Sequence, residues 1–291
     1  MRADGNPPVA LTIAGSDSGA GAGVQADIKT MAALGVFATT AVTAVTAQNT
    51  AAVREVFPVP EAMVEAQVRA VLDDLPVASV KTGLLGTAAV IATVGRLAAG
   101  GRLPRLVVDP VMVASTGRTF VADGCVDAYR ALLLPHALLV TPNLWEAALL
   151  AGVPGADIRD VESMTDVARC IHGFGPGWVL VKGGHLPGVE DPSTAPAPDD
   201  VADVLFDGRD LVVLRGPRVA TPNTHGTGCS LSAAIAAHLA RGADVPAAVV
   251  AAKAFVHDAL AGAAAWRLGR GHGPLDHLGW SRDAPGIGAD R

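Results

Sequence analysis

Short apolar runs alternate with stretches of helical period along most of this chain. Residues 9–14, 39–46, 79–82, 106–109, 138–141 and 179–182 read as buried strands, each brief, apolar or rich in β-branched residues, and closed by polar residues or glycine. Between them, 23–34, 60–75, 87–99, 124–133, 146–151 and 164–174 carry the helical pattern. This alternation predicts βαβ units and a mainly parallel sheet covered on both faces. Residues 201–206 and 211–214 flank Asp207-Gly208, a hairpin turn that adds antiparallel strands. Two helices follow, 225–240 and 246–267. The proline-rich, acidic stretch 187–200 has no period and reads as a lid-like loop. The apolar pattern resumes at once after it, so the prediction is a single domain over 1–291, with 1–8 and 272–291 peripheral or frayed.

Composition narrows the picture. Half of the 291 residues are apolar and few are aromatic, which suits close-packed helices on a buried sheet. The formal net charge is −6 and no basic run occurs, which argues against a nucleic-acid partner. The N-terminus has no secretory pattern, and no uninterrupted apolar run approaches membrane-spanning length. Cys125, Cys170 and Cys229 are widely spaced and form neither a disulfide framework nor a metal pattern. A reducing cytoplasm is the expected home.

In parallel sheets, chemistry collects at the carboxyl ends of strands. There this sequence puts Gly15-Ser16-Asp17, Gln48-Asn49, Thr82-Gly83, Asp109-Pro110, Thr141-Pro142-Asn143 and Lys182-Gly183-Gly184-His185. The most pointed signal is Asn223-Thr224-His225-Gly226-Thr227-Gly228-Cys229, which opens an alanine-rich helix. Bare amides at the positive end of a helix hold an anion without a basic side chain. The same field favours a Cys229 thiolate.

Each remaining feature also has a plainer reading. The glycines of 15–23 allow close approach by a ligand or a tight turn, and they match neither a dinucleotide fingerprint nor a lysine-bearing phosphate loop. Asp27 can accept hydrogen bonds from a substrate or offset a helix dipole. Gln48 offers an amide to a heteroaromatic edge, or serves turn chemistry with Asn49. Asn143 and Glu146 have capping-box spacing as well as ligand character. Lys182 can reach phosphate as a point charge. His185 reads as a loop residue with no task, and His225 can contact phosphate but better fits a structural role.

Together these pieces resemble the ribokinase-like superfamily, and within it the hydroxymethylpyrimidine/phosphomethylpyrimidine kinases of thiamin biosynthesis. The resemblance rests on LTIAGSDSGAGAGVQAD at 11–27, VTAQNT at 45–50, KTGLLG at 81–86, VVDPVM at 107–112, TPNLWEA at 141–147, VLVKGGH at 179–185 and THGTGC at 224–229, in the family's order. It implies a three-layer α/β/α sandwich on a nine-stranded or similar sheet. ATP and Mg²⁺ would be cosubstrates, a small pyrimidine the acceptor and a homodimer the assembly, with no nucleic acid or membrane involved. It further implies phosphorylation of the hydroxymethyl group, then of the resulting monophosphate. Carried over by position, Gly15, Asp27, Thr46, Gln48 and Leu84 hold the aminopyrimidine. Cys229 is catalytic, with Gly226, Thr227 and Gly228 as the anion hole. Lys182 and Asn143 meet the ATP phosphates, and Asp109 and Glu146 the metal.

Two departures stand out. The family's Lys-Ile-Gly-Met is Lys81-Thr82-Gly83-Leu84 here, and a lysine common in the flap is Ser115. A pyridoxal kinase is the nearest alternative and a non-catalytic ligand sensor a more distant one. A dehydrogenase is excluded by the missing ribose-binding acid.

Overall fold

The computed structural model describes residues 5–112, 122–184 and 200–281. Nine strands form one sheet in the order β3-β2-β1-β4-β5-β6-β7-β8-β9. They are β1 (Val9–Asp17), β2 (Phe37–Gln48), β3 (Val53–Pro58), β4 (Val77–Thr82), β5 (Leu106–Val108), β6 (Leu139–Val140), β7 (Trp178–Lys182), β8 (Asp200–Phe206) and β9 (Leu211–Pro217). Strands β2, β1, β4, β5, β6 and β7 run parallel. Strands β3, β8 and β9 pair antiparallel at the two edges.

Helices cover both faces. Helices α2 (Glu61–Asp74), α3 (Ala88–Ala99), α4 (Cys125–Ala128), α5 (Leu144–Ala151) and α6 (Val161–His172) close one core with Leu11, Ile13, Val80 and Val108. Helices α1 (Gly23–Ala33), α7 (Thr227–Ala240) and α8 (Val245–Ala263) close the other with Ala10, Val107, Leu139 and Leu180. Successive residues of a strand face opposite cores, and both faces are buried, so the central strands carry apolar runs without polar alternation.

Four features depart from the sequence reading. Strand β3 has no apolar run to announce it: only Val53 is buried, and the strand ends at Pro58 on the sheet edge, where a missing N–H costs nothing. The predicted helix at 124–133 divides into α4, a π-helical turn at Tyr129–Leu133 and a 3₁₀ turn at Leu134–His136 that contains Pro135. Proline cannot continue an α-helix, which accounts for the division. Helix α8 is long and apolar enough to cross a membrane by length and composition. Its Val245, Ala248, Val249, Ala252 and Val256 pack into the second core instead.

Finally, residues 272–281 are tied in rather than frayed. The His225 amide donates to the Gly273 carbonyl at 3.0 Å. Leu275 is buried, and His277 Nε2 meets Ser230 Oγ at 2.8 Å on the first turns of α7. Burial, with Lys29 adding to it, holds the His277 imidazole down at about 4. A neutral native histidine with an ordinary unfolded value near 6.5 supports stability fully above that value. Stability is therefore expected to fall as pH drops from about 6.5 towards 4, and His277→Gln is expected to flatten that limb. Urea midpoints of both proteins across this range check it.

Candidate active site

Strand β1 lies between β2 and β4, so the chain winds outward in both directions from it. Such a reversal opens a crevice above the strand ends. A cleft of about 1370 Å³ lies there. Gly15, Thr46, Gln48 and Leu84 line one part of it; Asp109, Asn143, Glu146 and Lys182 line another; and Gly226, Thr227, Gly228 and Cys229 lie on its wall. Thus all but one of the site residues carried over from the resemblance converge on a single cavity.

Helix α7 presents its N-terminus to this cleft. Its cap, Gly226, has a φ of 86°, and a Cβ there would lie 1.9 Å from the Gly21 carbonyl oxygen. Only glycine fits both the left-handed backbone and that contact. Serine or threonine caps consume the first helical amides, but no side chain caps α7. The Thr227 amide turns back to the Thr224 carbonyl at 3.2 Å. Among the described residues, the Gly228 and Cys229 amides meet no protein acceptor. A Cβ on Gly228 would lie 3.2 Å from Lys182 Nζ, so the lysine stands directly beside the bare amides.

Cys229 departs from the thiolate expectation. Its sulfur accepts from the Gly23 amide, and Lys81 favours ionisation. Burial dominates, with the carboxylates Asp27 and Asp109 adding to it, and pushes the thiol up to about 11. The resting group is therefore a neutral thiol at physiological pH, because desolvation outweighs the helix field.

The charged part of the cleft is a connected array. Lys182 Nζ donates to Asp109 Oδ1 at 3.1 Å, and Ser232 Oγ donates to Asp109 Oδ2 at 3.0 Å. Burial opposes the Asp109 charge, but Lys182 and Lys81 more than offset it and hold the carboxyl below the usual range. Glu146 and Asn143 form a complete capping box at the start of α5: Glu146 Oε2 accepts from the Asn143 amide at 2.8 Å, and Asn143 Oδ1 from the Glu146 amide at 2.8 Å. Capping and cleft-lining thus coexist in the same pair. Burial, joined by Asp109 and opposed by Lys182, pushes the Glu146 carboxyl up to about 7.

At the other end, Gly15 and Leu84 meet across the crevice: a Cβ on Gly15 would sit 3.1 Å from a Leu84 methyl. Thr46 Oγ1 donates to the Ser16 carbonyl at 2.9 Å, beside the Gln48 amide.

Asp27 is the exception and a correction. It lies beneath the cleft with no exposed surface. Lys81 Nζ holds both its oxygens, at 2.9 and 2.8 Å, and Thr12 Oγ1 donates to Oδ2 at 2.6 Å. A carboxylate so enclosed has no face left for a ligand. Burial opposes the Lys81 charge, yet Asp27, Cys229 and Asp109 raise its ammonium well above the ordinary value.

Three participants escaped the sequence reading as site residues. Lys81 carries a legible signal, a cation inside the apolar run of β4. Ser232, one turn beyond Gly228 on α7, does not. Asp17 accepts from the amides of Gly19, Gly21 and Ala22 at 2.8, 3.1 and 2.9 Å, and from His225 Nε2 at 2.8 Å. The first glycine loop is wrapped around this carboxylate, which ties it to the second. That assigns the supporting role to His225. His185, Ser115 and most of the 187–200 loop lie outside the described residues.

Comparisons with known proteins show the family and the fold. The phosphomethylpyrimidine kinase family model matches residues 17–276. The hydroxymethylpyrimidine/phosphomethylpyrimidine kinase of Streptomyces coelicolor is 46% identical over 275 residues, covering 94% of this chain and 96% of the relative. Pyridoxal kinase from Staphylococcus aureus, solved with AMP-PCP and pyridoxal, superposes with a TM-score of 0.82 at 34% identity over 96% of each chain. Phosphomethylpyrimidine kinase from Clostridium difficile superposes with a TM-score of 0.73 at 34% identity, covering 87% of this chain and 99% of that one. The architecture is accordingly ribokinase-like.

Proposed function

Because the chain belongs to the phosphomethylpyrimidine kinase family, we infer that its cleft moves a phosphoryl group from ATP to 4-amino-5-hydroxymethyl-2-methylpyrimidine, and then to the monophosphate so formed. The protein is a phosphotransferase of thiamin biosynthesis. The observation that carries the site assignment is the α7 N-terminus, where two bare amides stand beside Lys182. Phosphoryl transfer asks mainly for positioning and for charge stabilisation on the moving group, and this is the apparatus for both.

In this reading Gly15, Leu84, Thr46 and Gln48 hold the pyrimidine. The Gly228 and Cys229 amides receive the transferring group, and Lys182 neutralises the polyphosphate, with Asn143 at the rim. Asp27 supports the site from below. Cys229 orients the acceptor hydroxyl, and its minor thiolate form, favoured by Lys81, takes the hydroxyl proton as the new P–O bond forms and the bond to the nucleotide breaks. The second acceptor is already an ionised phosphate and needs no such help.

Magnesium fits this donor set through water. Among the described residues no cluster forms an all-protein metal cage. Mg²⁺ favours one or two carboxylates plus phosphate oxygens and retained waters, and Asp109 and Glu146 supply two carboxylates whose oxygens already accept protein hydrogen bonds. Bound there, it would neutralise charge on the triphosphate.

Cys229→Ala is expected to cut turnover of the alcohol by roughly ten- to a hundredfold and turnover of the monophosphate much less. Steady-state rates on both acceptors measure this, and equal losses would argue against a proton-transfer role. The function itself is tested by following ATP consumption against the pyrimidine alcohol, its phosphate and pyridoxal, with phosphorus NMR of the products. Preference for pyridoxal would transfer the reading to the pyridoxal kinases.

A homodimer has a surface available. Val45 and Phe57 face each other across β2 and β3 and stay 50% and 67% exposed. Phe57→Asp is expected to shift sedimentation from dimer to monomer. The three cysteines are unpaired, which suits a reducing cytoplasm.

A further inference from the structure

The Gln48 amide bridges two neighbours whose own chemistry dictates which way round it must stand. On one side its Nε2 lies 3.3 Å from His225 Nε2. On the other its Oε1 lies 3.4 Å from Thr46 Oγ1. An amide's oxygen and nitrogen are alike in shape, so hydrogen bonding decides between its two orientations.

Both neighbours are committed. His225 Nε2 stands 2.8 Å from Asp17 Oδ2, and that carboxylate also takes the amide protons of Gly21 and Ala22. An ionised carboxylate only accepts, so Nε2 carries a proton and donates it. A Gln48 nitrogen on that side sets donor against donor. Thr46 Oγ1 has one proton, directed at the Ser16 carbonyl at 2.9 Å. Towards Gln48 it can therefore only accept, and an oxygen on that side sets acceptor against acceptor. A half-turn of the amide removes both conflicts at once: Oε1 takes the longer arm of a three-centre bond from the proton that Nε2 of His225 directs at Asp17, and the Gln48 Nε2 donates to Thr46.

We propose that His225 is a positioning residue that fixes the Gln48 amide with its oxygen towards His225 and its nitrogen towards Thr46, and so sets which edge pattern the acceptor ring must present. The inference rests on Gln48 facing that ring. In this state one oxygen lone pair and one N–H remain for the ligand, side by side and in fixed order. That pair matches a ring with an exocyclic amino donor beside a ring-nitrogen acceptor. It mismatches the oxo counterpart of the same ring, where donor and acceptor are exchanged. The oxo ring would need the opposite amide orientation, which His225 and Asp17 forbid.

The test compares the 4-amino pyrimidine alcohol with its 4-oxo analogue as acceptors. The ratio of their kcat/KM values cancels losses that act on phosphoryl transfer in common. His225→Leu is expected to lower the preference for the amino ring by about two- to tenfold, the worth of one hydrogen bond. His225→Gln keeps an N–H donor near the Nε2 position and is expected to restore most of it. Unchanged preference in a folded His225→Leu protein would overturn the proposal. Nitrogen-15 NMR of the wild-type imidazole covers the case in which the variant does not fold: a proton on Nε2 supports the assignment, and a bare Nε2 overturns it. Gln48→Leu separates the two layers. If it leaves the KM for the pyrimidine unchanged, the ring-facing role of Gln48 fails. If it raises that KM while His225→Leu leaves the preference intact, only the orienting role fails.

Discussion

Gly226→Ala is expected to lower kcat by about two to three orders of magnitude on both acceptors. The added methyl meets two obstacles. The backbone there has a φ of 86°, a region that costs an alanine roughly 1–2 kcal/mol. The Cβ would also lie 1.9 Å from the Gly21 carbonyl oxygen, which belongs to backbone and cannot swing aside. Relief requires the start of α7 to move away from the first glycine loop. That motion carries the Gly228 and Cys229 amides out of position, and loss of a single preorganised donor of this kind costs about 10²–10³ in rate. Because both phosphorylation steps use the same amides, both fall together, unlike the split expected for Cys229→Ala. Steady-state kinetics with a thermal melt as a control measure the effect. A folded variant with kcat within a few-fold of wild type would remove the α7 terminus from the mechanism.

Lys81→Met is expected to be the most damaging substitution for stability, at about 3–5 kcal/mol. Lys81 and Asp27 have no exposed side-chain surface and pair at 2.8 Å. Removing the ammonium strands a carboxylate in the second core with only Thr12 as a hydrogen-bond partner. Lys81→Met/Asp27→Asn removes both charges, and it is expected to recover more than half of the loss, since a neutral buried pair avoids the desolvation of a lone ion. Urea denaturation of the two single variants, the double variant and wild type gives the coupling. Strict additivity would show that the pair is not energetically linked. Asp27 thus acts on the site from beneath it, not as the ligand contact that its place in the sequence motif implied.

These results show what kind of information the residues carry. The parallel strands were legible because burial on both faces leaves continuous apolar runs. Strand β3 was not, because its edge position leaves it mostly exposed. The uncapped start of α7, the proposed phosphate cradle, was legible because glycine is the only residue for a left-handed cap, and the sequence displays it openly at Gly226. The state of Cys229 was not: helix position argues for a thiolate, while three-dimensional burial argues for a thiol, and only the second depends on neighbours remote in sequence. Asn143 and Glu146 were legible in both of their roles, since a capping box and a carboxylate at a strand-end rim share the same spacing. Asp17 and His225 were visible singly and invisible as a pair.

That pair also bears on how the molecule comes into being. Asp17 and His225 are 208 positions apart. Closing so long a loop is entropically slow, and it must await the segment that carries the second partner. During vectorial synthesis the amino-terminal strands can emerge and pair, but the glycine loop between β1 and α1 has nothing to clasp until the segment that carries His225 has left the ribosome. Catalytic competence thus waits for that segment, and a nascent chain halted before α7 holds much of a sheet and no working enzyme.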